Sequence, residues 1–305
     1  MNFEQVFLKM IILFIILIIG YASNKAHILD TVGNKTLSAL IMNITLPCMV
    51  LSSLNQARCT GKDLVTMTGV TVLVFLLLII MAKVMPILLC TKGDKAPVLE
   101  FLLVFSNNSF MGYPVIECVL GASALIYASV YSIFTVILFF SYGVYLFQKG
   151  KNGGYCIEWK KMLSPSSIVG VLALILAFFE FRLPKMPYEV LSMLGNVTTP
   201  LSMLIIGSSL AAIPVKEVFK GWRIYAFSVV RLLIVPMIVY LVFFKFISNP
   251  TILGVIVLTA AMPSASTTVM FAEQYDNNAP YAAQHVFIST LFAVLTIPLV
   301  GNFLF

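Results

Sequence analysis

Ten stretches of about twenty apolar residues follow one another along this chain, and almost nothing separates them. They run at roughly 5–23, 36–55, 63–84, 97–120, 125–147, 164–182, 189–211, 223–244, 250–274 and 280–303. A helix needs about 20 apolar residues to span the hydrocarbon core of a bilayer. Of the 305 residues, 60% are hydrophobic and 10% are charged, against roughly 25% charged in a soluble domain. So few charges cannot cover a water-facing surface, and the solvent must be lipid. Lipid forces every exposed backbone amide to be satisfied internally, which leaves helices or a closed barrel. The runs do not alternate as barrel strands do. The expectation is an all-α multi-pass membrane protein of ten transmembrane helices, with no room for a sizeable soluble domain.

The formal charge of +7 is a topology signal. With loops assigned alternately to two sides, the N-terminal side carries Lys9, Arg58, Lys62, Arg182, Lys185 and Lys245. The other carries Lys25, Lys35, Lys83, Lys92, Lys95, Lys149, Lys151, Lys160, Lys161, Lys216, Lys220 and Arg223. Basic loops stay cytoplasmic, so both termini are expected outside the cell membrane. Charge spread in this way does not suit nucleic acid. No small-residue cleavage site follows the first span, which is therefore read as a retained helix rather than a signal peptide. Five scattered cysteines form no C-x-x-C pair, and His27 and His285 are too few and too far apart for a metal site. No metal and no cofactor are expected.

The chain matches itself at an offset of about 153. Asn43, Thr45 and Pro47 map onto Asn196, Thr198 and Pro200; Pro97 maps onto Pro250; Tyr127-Ala128-Ser129 maps onto Tyr281-Ala282-Ala283 at 154. Chance can supply one such match, but three in the same order point to duplication. Each copy holds five spans, and an odd number inverts the second copy. The division expected is 1–150, a Gly- and Lys-rich cytoplasmic linker at 151–163, and 164–305. Inverted repeats are a hallmark of secondary transporters, whose ligand sites lie near the midplane where paired helices unwind.

Two spans carry such interruptions. Span four contains S-N-N-S-F-M-G-Y-P at 106–114, with Asn107, Asn108 and Ser109 ahead of Gly112 and Pro114. Span nine contains M-P-S-A-S-T-T at 262–268, where Pro263 precedes Ser264, Ser266, Thr267 and Thr268. A break frees amides at the start of the next half-helix, which suit an anion such as a carboxylate. The freed carbonyls suit a cation instead. Proline kinks patched by neighbouring helices are the plainer reading. Asn43 and Asn196, with Thr45 and Thr198, either line the same cavity or bond between helices.

Arg231 lies about eight residues into span eight, where a charge costs about 2.5–3.5 kcal/mol on insertion scales. It either pairs with Glu100 or Glu273, replaces a bound cation beside the break, or snorkels to the cytoplasm. Glu117 follows the first break and is either a proton-titrating group or an ordinary helix-end acid. These three residues, Arg231, Glu117 and Glu273, are the candidates for ion coupling or charge compensation.

N-N-S-F-M-G-Y-P at 107–114, A-A-M-P at 260–263, F-A-E-Q-Y at 271–275, I-G-Y-A-S at 19–23 and L-P-C-M at 46–49 resemble the auxin efflux carrier family. Thr268 stands where the plant pattern has a second proline, and the long cytoplasmic loop of many plant members is absent, so the bacterial branch is the better match. The resemblance implies a sodium/proton-antiporter fold with helices four and nine crossing. Spans 1, 2, 6 and 7 would form a scaffold, often as a homodimer, and spans 3–5 and 8–10 a transport domain moving as an elevator. It implies organic-anion substrates such as auxin, malate or malonate, with Asn107 in the place of the family's crossover Asn.

The leading expectation is therefore a carrier of small mono- or dicarboxylates, its coupling ion H⁺ or Na⁺ left open. An intramembrane enzyme needs a catalytic constellation, and none is apparent. A passive channel needs a continuous polar stripe, and a sensor an attached soluble domain; neither is evident.

Overall fold

The computed structural model describes residues 3–56, 60–148, 165–212, 221–275 and 277–304. The linker expected at 151–163 lies outside them, as do Arg58, Cys59, Cys156, Lys216 and Lys220. The described residues form helices and no strand. Helix is present in each of the ten apolar stretches. Six helical stretches are long and apolar enough to cross a membrane: Thr31–Asn55, Gly61–Leu88, Ala122–Gln148, Lys185–Ala211, Trp222–Phe243 and Ala279–Gly301. Of the other four, the first and sixth have shorter apolar helices, Ile11–Lys25 and Ile168–Phe178, and the fourth and ninth are each cut in two.

In the first half, α1 is Phe3–Lys25 and α2 is Thr31–Leu40, continued by α3 (Leu46–Ser52). Next come α4 (Gly61–Leu88), the broken pair α5 (Lys95–Val104) and α6 (Tyr113–Leu120), and α7 (Leu125–Leu138) running on into α8 (Val144–Gln148). The second half holds α9 (Pro165–Phe178), then α10 (Lys185–Gly195) and α11 (Thr198–Ala212), then α12 (Trp222–Val229) and α13 (Val235–Phe243). The broken pair α14 (Pro250–Ala261) and α15 (Thr267–Gln274) precedes the final helix, α16 (Ala279–Leu304).

Three of these helices widen at a proline. π turns occupy Ile41–Thr45, Asn108–Gly112 and Val230–Ile234, and Pro47, Pro114 and Pro236 stand two residues beyond them. Proline has no N–H to give and its ring crowds the carbonyl four residues back. Widening the preceding turn relieves both, and such bulges collect at functional sites. Asn108 and Arg231 both sit in one.

The helices pack in two groups, which also meet along α9 and α7. In the first, α1 lies along α11 with the two backbones in close approach at Gly20 and Gly207. A Cβ on Gly20 would collide with the backbone of Leu204, and one on Gly207 with the backbone of Leu17. Close approach through small residues is how helices associate in lipid. Asn24 and Asn34 donate to Ser208 Oγ at 3.2 and 2.9 Å, and Lys25 Nζ caps the end of α11 at Ala211 O, 3.0 Å. Helix α3 packs on α10 and α9, and Gly195 lets Met49 approach. In the second group, α4 packs on α5 and α7, α14 on α13, α7 and α16, and α15 on α16. An aromatic cluster of Phe101, Phe105, Phe139, Phe147 and Phe271 fills its interior, with Phe105 and Phe139 stacked at 4.3 Å.

Candidate functional site

The two interrupted helices meet at their breaks. Ser106 and Ser264 pair as an antiparallel bridge. Asn107 N–H donates to Pro263 O at 2.8 Å, and Ala265 N–H to Phe105 O at 3.0 Å. Each stretch of extended backbone thus satisfies the other, so chain that lipid could not hold survives at membrane depth. Side chains complete the joint: Ser264 Oγ donates to Leu102 O at 2.9 Å, and Thr268 Oγ1 to Ala265 O at 2.6 Å. Ser264 and Thr268 are fully buried and hold the crossing together.

Beside the crossing lies a small cavity of about 70 Å³, lined by Ser106, Asn107, Asn108, Ser109, Ser132, Thr135, Ser266 and Thr267 among others. Three side-chain groups here have no hydrogen-bond partner: Asn108 Nδ2, Ser132 Oγ and Thr267 Oγ1. Ser106 Oγ donates to Asn108 Oδ1 at 3.2 Å, which turns the Asn108 amide so that its NH₂ is the unfilled end. Ser109 and Thr267 also stand at the start of half-helices, whose first amides have no intrahelical acceptor. A water takes about 30 Å³ of liquid volume, so the space suits one carboxylate or two waters. Buried donors without acceptors call for an occupant.

Through Met42, Asn107, Phe110, Ser266 and Thr267 this cavity shares its lining with a larger one of about 510 Å³. The larger chamber reaches between the two packing groups. Ser38, Ala39, Met42, Ile205, Ile206 and Leu210 come from the first, and Val269, Ala283, Val286 and Thr290 from the second. Its volume suits a small organic molecule. Among the described residues no charged side chain lines either chamber. A groove of about 540 Å³ beside α4, α7 and α9 is larger. Its one side-chain hydroxyl, on Thr68, already donates to Leu64 O, so it offers nothing to orient a ligand.

The structure brings Asn107, Asn108, Ser109, Ser266 and Thr267 to the chambers. Pro114 and Pro263 are buried and shape the breaks. Asn43 and Asn196 do not reach them. Both are exposed, and Asn43 Nδ2 turns back to Ala39 O at 2.9 Å. In each copy the buried member is the threonine, Thr45 or Thr198. Asn43 stands four residues beyond Ala39, which lines the chamber, but its amide is bound to the Ala39 carbonyl and its side chain is exposed. The sequence reading missed Ser132 and Thr135. With Ser129 they form a hydroxyl stripe every third residue along an apolar helix, which was a legible signal.

Arg231 is fully buried. Nη1 donates to Ala260 O at 2.6 Å, while Nε and Nη2 have no partner. Glu100 instead accepts from Tyr142 Oη at 3.4 Å; the side chain of Glu273 lies outside the described residues. Glu117, half-buried, accepts from Thr199 Oγ1 at 3.2 Å, a bond between α6 and α11 and so between the two packing groups. Among the described residues no cluster of His, Cys, Asp and Glu is placed to hold a metal ion.

A family model described as "Membrane transport protein" matches residues 5–158 and 155–300. The chain is 26% identical to an uncharacterised transporter of Methanocaldococcus jannaschii, over 95% of this chain and 96% of that one. It is 24% identical to an uncharacterised transporter of Methanothermobacter thermautotrophicus, over 93% and 94%.

Proposed function

This chain belongs to the membrane transport protein family, which takes in the auxin-efflux-like carriers, and we propose that it is a secondary transporter of a monocarboxylate with an apolar body. The observation that carries this reading is the adjoining pair of chambers: a carboxylate-sized pocket with unfilled donors that shares five lining residues with a larger apolar one. The head group takes its hydrogen bonds from Asn108, Ser132 and Thr267 and from the half-helix amides. The body lies against Phe110, Ile205, Ile206 and Val286. A second carboxylate in the larger chamber would give up part of its hydration with no cation among the described lining residues to meet it. That cost disfavours malate- or malonate-like substrates.

The proposed architecture is ten membrane spans arranged as two inverted five-helix repeats, in a sodium/proton-antiporter fold with crossing fourth and ninth spans. The two packing groups support a scaffold of spans 1, 2, 6 and 7 and a transport domain of spans 3–5 and 8–10. A substrate chamber lined from both groups is emptied to either side when one slides past the other, as an elevator does. The protein resides in the cell membrane with both termini outside, as a homodimer whose scaffolds meet. Coupling to H⁺ or Na⁺ would act through groups that the elevator step exposes, of which Glu117 is one.

A thermal-shift series on purified protein tests the substrate class, because a ligand bound only by the native state raises its stability by about 2.7 kcal/mol at 100 times Kd. Phenylacetate should raise Tm; phenylacetamide, malonate and malate should not. The outcome that defeats the reading is a shift by malonate, or by amines, with none from phenylacetate.

A further inference from the structure

We infer that Arg231 is the fixed cation of the crossing, standing where a mobile cation would otherwise sit at the carboxyl end of α14 and making the crossing select anions. The inference rests on the anion reading above. The first half of each broken helix ends at the crossing, and a helix's carboxyl end carries partial negative charge. The two ends are treated differently. In α5 the Leu102 carbonyl accepts from a neutral hydroxyl, that of Ser264. In α14 the Ala260 carbonyl accepts from the guanidinium of Arg231 at 2.6 Å.

Among the described residues no acid faces that guanidinium. It is wholly buried, its Nε and Nη2 are unpartnered, and the polar group beside it is the neutral hydroxyl of Tyr131. No carboxylate pairs with it among the described residues. An unscreened charge in a low-dielectric interior acts well beyond contact distance. The amino ends of the two following half-helices are also positive. With one carboxyl end covered by a full positive charge, the crossing as a whole is electropositive. A metal cation at the same carbonyl meets a like charge, and an anion in the small chamber meets an opposite one. Arg231 is not among the residues lining either chamber, so it acts through the field and is a specificity-determining residue rather than a contact.

Two measurements test this. Arg231→Ala leaves a guanidinium-sized space beside the Ala260 carbonyl, so low-millimolar guanidinium chloride should raise its Tm above that seen in equal tetramethylammonium chloride. Wild type, and Arg231→Met, in which an apolar chain fills the space, should show no such rise. Separately, Arg231→Met should lose about tenfold of the preference for phenylacetate over phenylacetamide, and Arg231→Lys should keep it. The second comparison stands alone if Arg231→Ala does not fold. Equal acid preference in Arg231→Met and wild type, or no guanidinium effect peculiar to Arg231→Ala, overturns the inference. Guanidinium rescue with no phenylacetate binding by wild type overturns the substrate reading alone.

Discussion

Asn43 and Asn108 are both polar residues in π turns at membrane depth, yet one turns outward and the other lines the small chamber. Asn108 has an NH₂ without a partner beside the small polar chamber; Asn43 gives its own to the Ala39 carbonyl four residues back. Hydrogen bonds to charged groups are worth about 1.5–3 kcal/mol. Asn108→Leu should therefore weaken phenylacetate binding by about tenfold or more, measured by titration calorimetry. Asn43→Leu should leave affinity unchanged, within the ~0.5 kcal/mol typical of surface changes. Ser264 belongs to the joint rather than to the ligand. Ser264→Ala leaves the Leu102 carbonyl buried and unpaired, and should cost about 1–3 kcal/mol in detergent unfolding. Polarity within an apolar run was readable at all three positions. The side each faces was not, because the period of a helix is lost wherever it widens or breaks.

At the level of elements, prolines and glycines set the geometry in different ways. Pro47, Pro114 and Pro236 each follow a π turn, whereas Pro86 and Pro298 sit inside continuous helix. The sequence marks all five alike, and only the packing separates them. Glycines divide similarly. Gly20 and Gly207 are pinned by facing backbone, while a Cβ on Gly69 meets nothing within 4 Å. Gly20→Ala should destabilise by about 1–3 kcal/mol, the usual cost of overpacking. Gly69→Ala should be neutral or gain up to about 1 kcal/mol from helix propensity. Equal behaviour of the two variants in unfolding experiments would contradict the tight α1–α11 seam. The broken pairs were visible as Asn-rich and hydroxyl-rich patches. That they bond to each other across 158 residues, Ser106 to Ser264, was visible in neither patch alone.

Across the whole molecule, the chamber and the Glu117–Thr199 bond both straddle the two packing groups. If one group slides past the other, tying them must stop the cycle. Cysteines placed at 117 and 199 in a cysteine-free background and joined by a short bifunctional thiol reagent should retain phenylacetate binding and lose its uptake into proteoliposomes. Undiminished uptake after complete crosslinking would rule out the sliding step. Orientation has its own test. With the other four cysteines removed, Cys156 should react with an impermeant maleimide only after the membrane is opened. What the residues alone determined is the solvent, the helical class and the two places where helix must fail. Those follow from local chemistry: apolar run length, charge scarcity, and proline, glycine and amide groups where a helix cannot use them. Tertiary structure alone decided which backbone groups pair where the two failures meet, that the Asn of N-x-T-x-P faces away while Ser132 faces in, and that Arg231 caps Ala260. Each of those depends on the rotation and register of one helix against another. Residues far apart in sequence set these together, through glycine seams and proline-widened turns that leave no periodic trace along the chain.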